Sequence, residues 1–159
     1  MKAYFAGGCF WCITPILKMA GASGVVCGYS GGDERDPKYE DVKAQRTGHR
    51  ETVEVTYDEG KVSLSRLLDI FLANIDPYDA DGQYIDRGHS YTAAFYYQDE
   101  EERRLAGEKI SALEAEGGRA AHVAVEPFKF FCRAEEEHQD YYLKNPEEFE
   151  KELKESGRV

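Results

Sequence analysis

Lys2-Ala3-Tyr4-Phe5-Ala6-Gly7-Gly8-Cys9-Phe10-Trp11-Cys12-Ile13-Thr14-Pro15-Ile16-Leu17 changes period partway along. Lys2 to Ala6 is a short β-like run, Gly7-Gly8 stops it, and Ile13, Ile16, Leu17 and Ala20 then fall at helical spacing. The segment reads as strand, tight glycine turn, helix. Proline suits a first helical turn better than an interior, so Pro15 places the helix start between Phe10 and Thr14, and Gly21 and Gly24 end it.

Working outward, Val25 to Tyr29 is a second strand, closed by Ser30-Gly31-Gly32-Asp33 and a polar loop through Pro37. His49 to Tyr57 is the clearest strand, with Val53, Val55 and Tyr57 on one face and Thr52, Glu54 and Thr56 on the other. The same alternation puts Glu51 on the apolar face. Ser63 caps a helix striped by Leu64, Leu67, Leu68, Phe71 and Leu72, and a long polar loop from Pro77 to Ser90 follows. Thr92 to Tyr97 is a strand. Asp99 with Glu102 opens a helix that Gly117-Gly118 stops, and Ala121 to Glu126 alternates as a strand. Ala134 to Leu143 is expected to be a helix, and Asn145-Pro146 opens a last one, residues 144–159, read as exposed and carrying the pairs Glu147/Lys151 and Glu150/Lys154. Strands and helices interleave without a regular βαβ beat. The expected class is therefore α+β, a two-layer sandwich of a mixed sheet with helices.

At 159 residues the chain matches about one domain, so 1–159 is expected to form a single catalytic unit. Its 20 basic and 31 acidic residues give a net charge of −11, which repels phosphate and argues against nucleic acid and anionic membrane as partners. With 1 Trp, 11 Tyr and 8 Phe it is too aromatic for a disordered acidic polymer. Four unevenly spaced cysteines, Cys9, Cys12, Cys27 and Cys132, do not make a secreted disulfide scaffold and point to a reducing, cytoplasmic setting. No leader or membrane span is expected, because Gly7-Gly8 and Pro15 cut the apolar start into short pieces.

Cys9-Phe10-Trp11-Cys12 is the sharpest chemical feature. A thiol after a strand and glycine turn, at a helix start, faces orphan backbone N–H groups and the positive end of the helix dipole, so Cys9 is expected to have a lowered pKa. Cys12 is near enough to close a disulfide with it. Inert packing or half of a metal site are the alternatives, but no second CxxC or spaced His pair completes a metal site. Glu51, on the apolar strand face, is expected to hold a proton near neutrality as a general acid needs; a solvated strand end, or pairing with Arg46 or Arg50, is the alternative. Tyr39, Tyr84 and Tyr91 could close an apolar pocket while donating a hydrogen bond. His49, His89, His122 and His138 lack metal spacing and read as structural or solvated.

With these residues in view, the sequence resembles the peptide methionine sulfoxide reductase A family. Gly8-Cys9-Phe10-Trp11 matches its active-site signature. The match continues through Gly28-Tyr29-Ser30-Gly31-Gly32, Pro37-Lys38-Tyr39-Glu40-Asp41-Val42, Thr47-Gly48-His49-Arg50-Glu51, Asp76-Pro77 and Glu136-Glu137-His138-Gln139-Asp140-Tyr141, in family order. The resemblance implies reduction of methionine S-sulfoxide, free or in oxidised proteins, to methionine. It implies Cys9 as the nucleophile left as a sulfenic acid, Glu51 as the acid protonating the sulfoxide oxygen, and Tyr39 and Tyr91 as hydrogen-bond donors to that oxygen. It further implies Phe10 and Trp11 around the S-methyl group, Asp86 on the substrate backbone, a ferredoxin-like sandwich, and no cofactor beyond thioredoxin, glutaredoxin or another dithiol as reductant. A monomer is expected.

Some positions depart from the family pattern. Tyr84-Ile85-Asp86 and Gly88-His89-Ser90-Tyr91-Thr92 replace the family's Gly-Asn-Asp and Gly-Thr-Gln-Tyr-Arg-Ser, although Asp86, Gly88 and Tyr91 keep register. Lys43 stands where some members place a cysteine, and Glu155-Ser156-Gly157-Arg158-Val159 carries none of the recycling cysteines many members have there. Cys12 is the first candidate to resolve the sulfenic acid, because a CxxC pair at a helix start can bridge with little backbone movement; Cys132, Cys27 or an external thiol follow. The runner-up function is a thioredoxin-like dithiol–disulfide exchanger built on Cys9 and Cys12. A third reading is an acidic, non-enzymatic binding module.

Overall fold

In the computed structural model, which describes residues 1–156, β1 (Lys2–Ala6) leads through the glycine turn straight into α1 (Phe10–Met19). Gly8 makes that turn with φ of +90°, a backbone region that favours glycine. The helix begins at the earliest position expected, so Pro15 lies in its second turn and offers no N–H to the Trp11 carbonyl.

The chain continues through β2 (Gly24–Ser30), α2 (Tyr39–Lys43), β3 (Arg50–Thr56) and α3 (Leu64–Ala73). A two-stranded ribbon follows, β4 (Gly82–Gln83) against β5 (Asp86–Arg87), then a 3₁₀ turn at His89–Tyr91, β6 (Ala94–Tyr97) and α4 (Glu100–Gly117). After these come β7 (Ala124–Pro127), β8 (Phe131–Arg133), a 3₁₀ turn at Glu136–His138, α5 (Tyr141–Lys144) and α6 (Pro146–Ser156). The helix starts follow their capping residues: the Ser63 side chain accepts from Arg66 N–H, and Asp99 from Glu102 N–H.

The main sheet has six strands in the order β7-β6-β1-β3-β2-β8, with β6 and β7 parallel and the other neighbours antiparallel. Its four central strands, β6-β1-β3-β2, form the order produced by two split βαβ units. On one face Phe5, Val53 and Cys27 stand in register and pack with Phe10, Ile13 and Leu17 of α1 and with the α3 stripe. The Phe5 ring lies 5.1 Å from Phe71 and 5.3 Å from Phe95, and each fully buried Phe contributes roughly 1.5–3 kcal/mol of burial free energy. On the other face Tyr4 and Tyr96 meet the aromatic segment 128–131, with Tyr4 stacked 4.0 Å from Phe128.

Two expectations are corrected. The polar stretch 77–90 is not plain loop, because it holds the ribbon, turned at Tyr84 with φ of +55°. The helix expected over 134–143 is not formed. β8 pairs with β2 up to Arg133, the Gln139 side chain bonds both the N–H and the carbonyl of Cys27, and Asp140 takes a left-handed φ of +52°. Those distant partners outweigh the weak local helical period. α6 is exposed over most of its length and turns Phe149, Glu152 and Leu153 inward, with the Glu150–Lys154 pair closed at 3.5 Å. Positions 157–159 of the expected last helix lie outside the described residues.

Candidate active site

The turn from β1 into α1 delivers Cys9 as the residue capping the helix, half-buried, at the floor of a cavity of about 180 Å³. Cys12, one turn on, lines the same cavity and is bound back to it through its N–H to the Cys9 carbonyl at 3.1 Å. Tyr39 arrives from the first position of α2 and Tyr91 from the 3₁₀ turn before β6. Asp86 comes from β5, Trp11 from α1, and Glu152 and Glu155 from α6. Thus Cys9, Cys12, Trp11, Tyr39, Asp86 and Tyr91, singled out in the sequence, meet at one cavity.

Phe10 and Glu51 stand just behind it. Phe10 is fully buried, its ring 6.3 Å from Trp11 and 6.2 Å from Tyr39, so it backs the aromatic wall. Glu51 is 1% exposed. Its Oε1 accepts the Phe10 N–H at 3.2 Å, next in the chain to the thiol, while Oε2 is buried without a hydrogen-bond partner. Burial pushes the Glu51 carboxyl up to about 8, helped by Asp86 and opposed by the Phe10 N–H. At neutral pH it is a carboxylic acid with a proton to give.

The lowered pKa expected for Cys9 is overturned. Its thiol lies well above its ordinary value, first through the hydrogen bond with the Cys12 thiol, then through burial and the nearby Glu51 and Asp86 carboxyls. The helix start does not compensate, because the Cys9 side chain makes no cap hydrogen bond and the Phe10 N–H is occupied by Glu51. Burial likewise holds the Tyr39 and Tyr91 phenols as protonated donors. Cys27 is buried, against the Thr14 hydroxyl at 3.2 Å, and its thiol is pushed up to about 12 by burial. Cys132 sits on β8, outside the cavity lining, with its thiol on the Arg35 carbonyl. Tyr84 faces a separate apolar groove between α1 and α6.

His138 and Tyr141, to which the sequence assigns no part in the site, and Glu135 complete the wall. The Trp11 indole N–H donates to His138 Nδ1 at 3.2 Å, and its ring stacks on Tyr141 at 4.0 Å. His138, expected to be structural or solvated, is structural: buried and 4.2 Å from the Tyr39 ring, it braces two cavity walls. Glu135 accepts from both the Tyr29 hydroxyl and the Tyr39 N–H, which anchors α2. The available signal was the block Glu136-Glu137-His138-Gln139, whose partners lie about a hundred residues away. Among the described residues, Glu135, Glu137 and His138 form one group of metal-ligating types within 4.8 Å, but Glu135 and His138 Nδ1 are already engaged in these bonds.

Two adjacent thiols in an aromatic cavity with a protonated acid behind the floor, on this sandwich, define a thiol-dependent oxidoreductase. Comparison with known proteins makes the class specific. A family model described as peptide methionine sulfoxide reductase matches residues 1–158. The chain is 43% identical over 160 residues to the peptide methionine sulfoxide reductase MsrA of Halalkalibacterium halodurans, covering 99% of this chain and 91% of that one. It is 41% identical over 159 residues to MsrA 2 of Staphylococcus aureus, covering 98% and 90%. Methionine sulfoxide reductase A of Corynebacterium diphtheriae superposes with a TM-score of 0.82 at 27% identity, covering 91% and 74%. Reduced Mxr1 of Saccharomyces cerevisiae superposes at 0.86 and 25%, covering 92% and 86%; the same yeast protein has also been solved in complex with Trx2. The chain belongs to the peptide methionine sulfoxide reductase family.

Proposed function

We propose that Cys9 and Glu51 perform the reduction for which the family is named, with the S-sulfoxide of methionine, free or in oxidised proteins, as substrate. Cys9 attacks the sulfoxide sulfur, Glu51 gives its proton to the oxygen, and Tyr39 and Tyr91 donate hydrogen bonds to it; Trp11, backed by Phe10, holds the S-methyl group and Asp86 the substrate backbone. The oxygen passes to Cys9, leaving methionine and a Cys9 sulfenic acid. The Cys12 thiol then attacks the Cys9 sulfur, water leaves, and a Cys9–Cys12 disulfide forms. The two thiols supply both hydrogens of that water. Thioredoxin, which the yeast relative binds in its solved complex with Trx2, is the proposed reductant. Glutaredoxin or a small dithiol is a substitute.

The observation that carries this reading is the buried Glu51 carboxyl, with one oxygen fixed by the Phe10 N–H and the other unpartnered. A sulfoxide oxygen leaves poorly until it is protonated, so the reaction needs a neutral acid beside a thiol. With Glu51 protonated, its charge no longer opposes ionisation of Cys9, whose thiol is then held up by the Cys12 hydrogen bond and by burial. The same reading takes the chain as a monomeric, cytoplasmic, single catalytic domain. No helix among the described residues is long and apolar enough to cross a membrane. The disulfide-exchanger alternative is not favoured, since the near-full-length relatives are named as sulfoxide reductases.

The test is one turnover on methionine S-sulfoxide with product chromatography and disulfide mapping. Cys9→Ser is expected to yield no methionine. Cys12→Ser is expected to keep one turnover and to lose thioredoxin-driven cycling. Undiminished cycling in Cys12→Ser would sink the assignment of Cys12, and turnover in Cys9→Ser would sink that of Cys9.

A further inference from the structure

α6 carries two stripes. Phe149 and Leu153, four apart, face the apolar groove beside Cys12 and Ile16. Glu148, Glu152 and Glu155, at spacings of four and three, form the neighbouring stripe, and Glu152 and Glu155 line the cavity above Cys9. Docking by the apolar stripe therefore aims the acidic one at the mouth of the site.

Across the cavity stands a third carboxylate, Asp86, and the one cation among the described lining residues is Lys43, whose Nζ lies 5.8 Å over the Tyr39 ring. Neither Glu152 nor Glu155 has an ion-pair partner within 4 Å among the described residues, whereas Glu150, on the outer side, is paired with Lys154. Glu152 is half-buried, and burial together with the carboxylates of Asp86, Glu148 and Glu155 holds its carboxyl above the usual range. Glu152, half-buried, and Glu155, exposed, therefore place two carboxylates without an ion-pair partner among the described residues at the rim of a reactive thiol, and a cationic ligand complements them. The net charge of −11 adds to the same field at long range.

We propose that α6, through Glu152 and Glu155, makes this enzyme select methionine sulfoxides flanked by lysine or arginine over those flanked by aspartate or glutamate. The inference rests on the sulfoxide-reductase reading and adds a substrate class to it. The selectivity belongs to a rim formed by the C-terminal helix, separate from the thiols and the acid that carry the chemistry.

The experiment uses the full chain with dithiothreitol as reductant and three S-sulfoxide substrates: acetyl-Lys-Met(O)-Lys-amide, acetyl-Glu-Met(O)-Glu-amide and the uncharged acetyl-Met(O)-amide. At about 20 mM salt, kcat/KM is expected to be roughly tenfold higher for the lysine peptide than for the glutamate peptide, a ratio that shrinks to about twofold at 0.5 M salt. In Glu152→Gln/Glu155→Gln the low-salt ratio should fall by at least half; Glu155→Gln alone, at an exposed position, should give part of that fall. A wild-type ratio near one at low salt overturns the proposal, as does a ratio that both variants leave unchanged. Failure of the wild type to reduce the uncharged sulfoxide would instead overturn the sulfoxide-reductase reading.

Discussion

Glu51 shows most directly how a single residue sets the chemistry. Its carboxyl is held up to about 8 by burial, against an ordinary value of 4.5, so the folded state keeps a proton that the unfolded chain releases. The folded state binds more protons across that window. Stability from this group is therefore complete below pH 4.5 and is lost as pH rises through about 8. Catalysis needs that proton together with an ionised Cys9, whose own thiol is raised. For the wild type, kcat/KM under single-turnover conditions should therefore rise with pH up to about 8 and level off above it, where each Glu51 proton lost is offset by Cys9 thiolate gained. Glu51→Gln should be slower by about 10²- to 10⁴-fold and keep rising through pH 8. In calorimetry the same variant should melt higher than wild type at pH 8 and at the same temperature near pH 4; equal melting at pH 8 would show that Glu51 is not a buried acid. Glu51 is legible through the alternation of Val53 and Val55, but the Phe10 N–H that orients it is not, since residues 10 and 51 are joined only by packing α1 on β3.

α6 is the element whose importance its own sequence least discloses. Read alone, 146–156 is a charged helix with a thin apolar stripe, the pattern of a solvated surface helix. Only its placement beside Cys12 and over Cys9 turns Phe149 and Leu153 into a docking stripe and Glu152 and Glu155 into a rim. Phe149→Ala/Leu153→Ala should therefore loosen the helix without unfolding the sandwich. Cys12, 3% exposed in the intact chain, should then react several-fold faster with iodoacetamide, measured by peptide mass spectrometry, while the main melting transition shifts little. No change in Cys12 labelling would mean that α6 does not shield it. Other elements are legible for local reasons: the Ser63 and Asp99 caps begin helices, and the left-handed Gly118 ends one, where the residues place those boundaries. The region 134–143 was not, because Gln139 bonds the backbone of Cys27, 112 residues away, in place of a helical turn.

Across the whole molecule, the site is assembled where α1, α2, the β4–β5 ribbon and the C-terminal helix converge, and the edge strand β8, from which the chain runs on to that helix, approaches β2 closely only because residue 28 is glycine. A Cβ at that position would lie 2.3 Å from the Cys132 carbonyl oxygen and from the Phe131 ring. Gly28→Ala should force β8 away from β2 and destabilise the chain by about 3 kcal/mol, read as a lower urea midpoint. An unchanged midpoint would show that β8 is held by less than this pairing. The sequence by itself determined the α+β class, the turn that presents Cys9 at a helix start, and the apolar strand face that buries Glu51, because backbone periodicity and turn chemistry act over a few residues. Only the tertiary structure decided that the Cys9 thiol is raised and not lowered, that His138 braces Trp11 from 127 residues away, and that α6 lays carboxylates over the cavity. Proton affinity depends on desolvation and on charges a few ångströms away, and here those charges come from segments that only folding brings together.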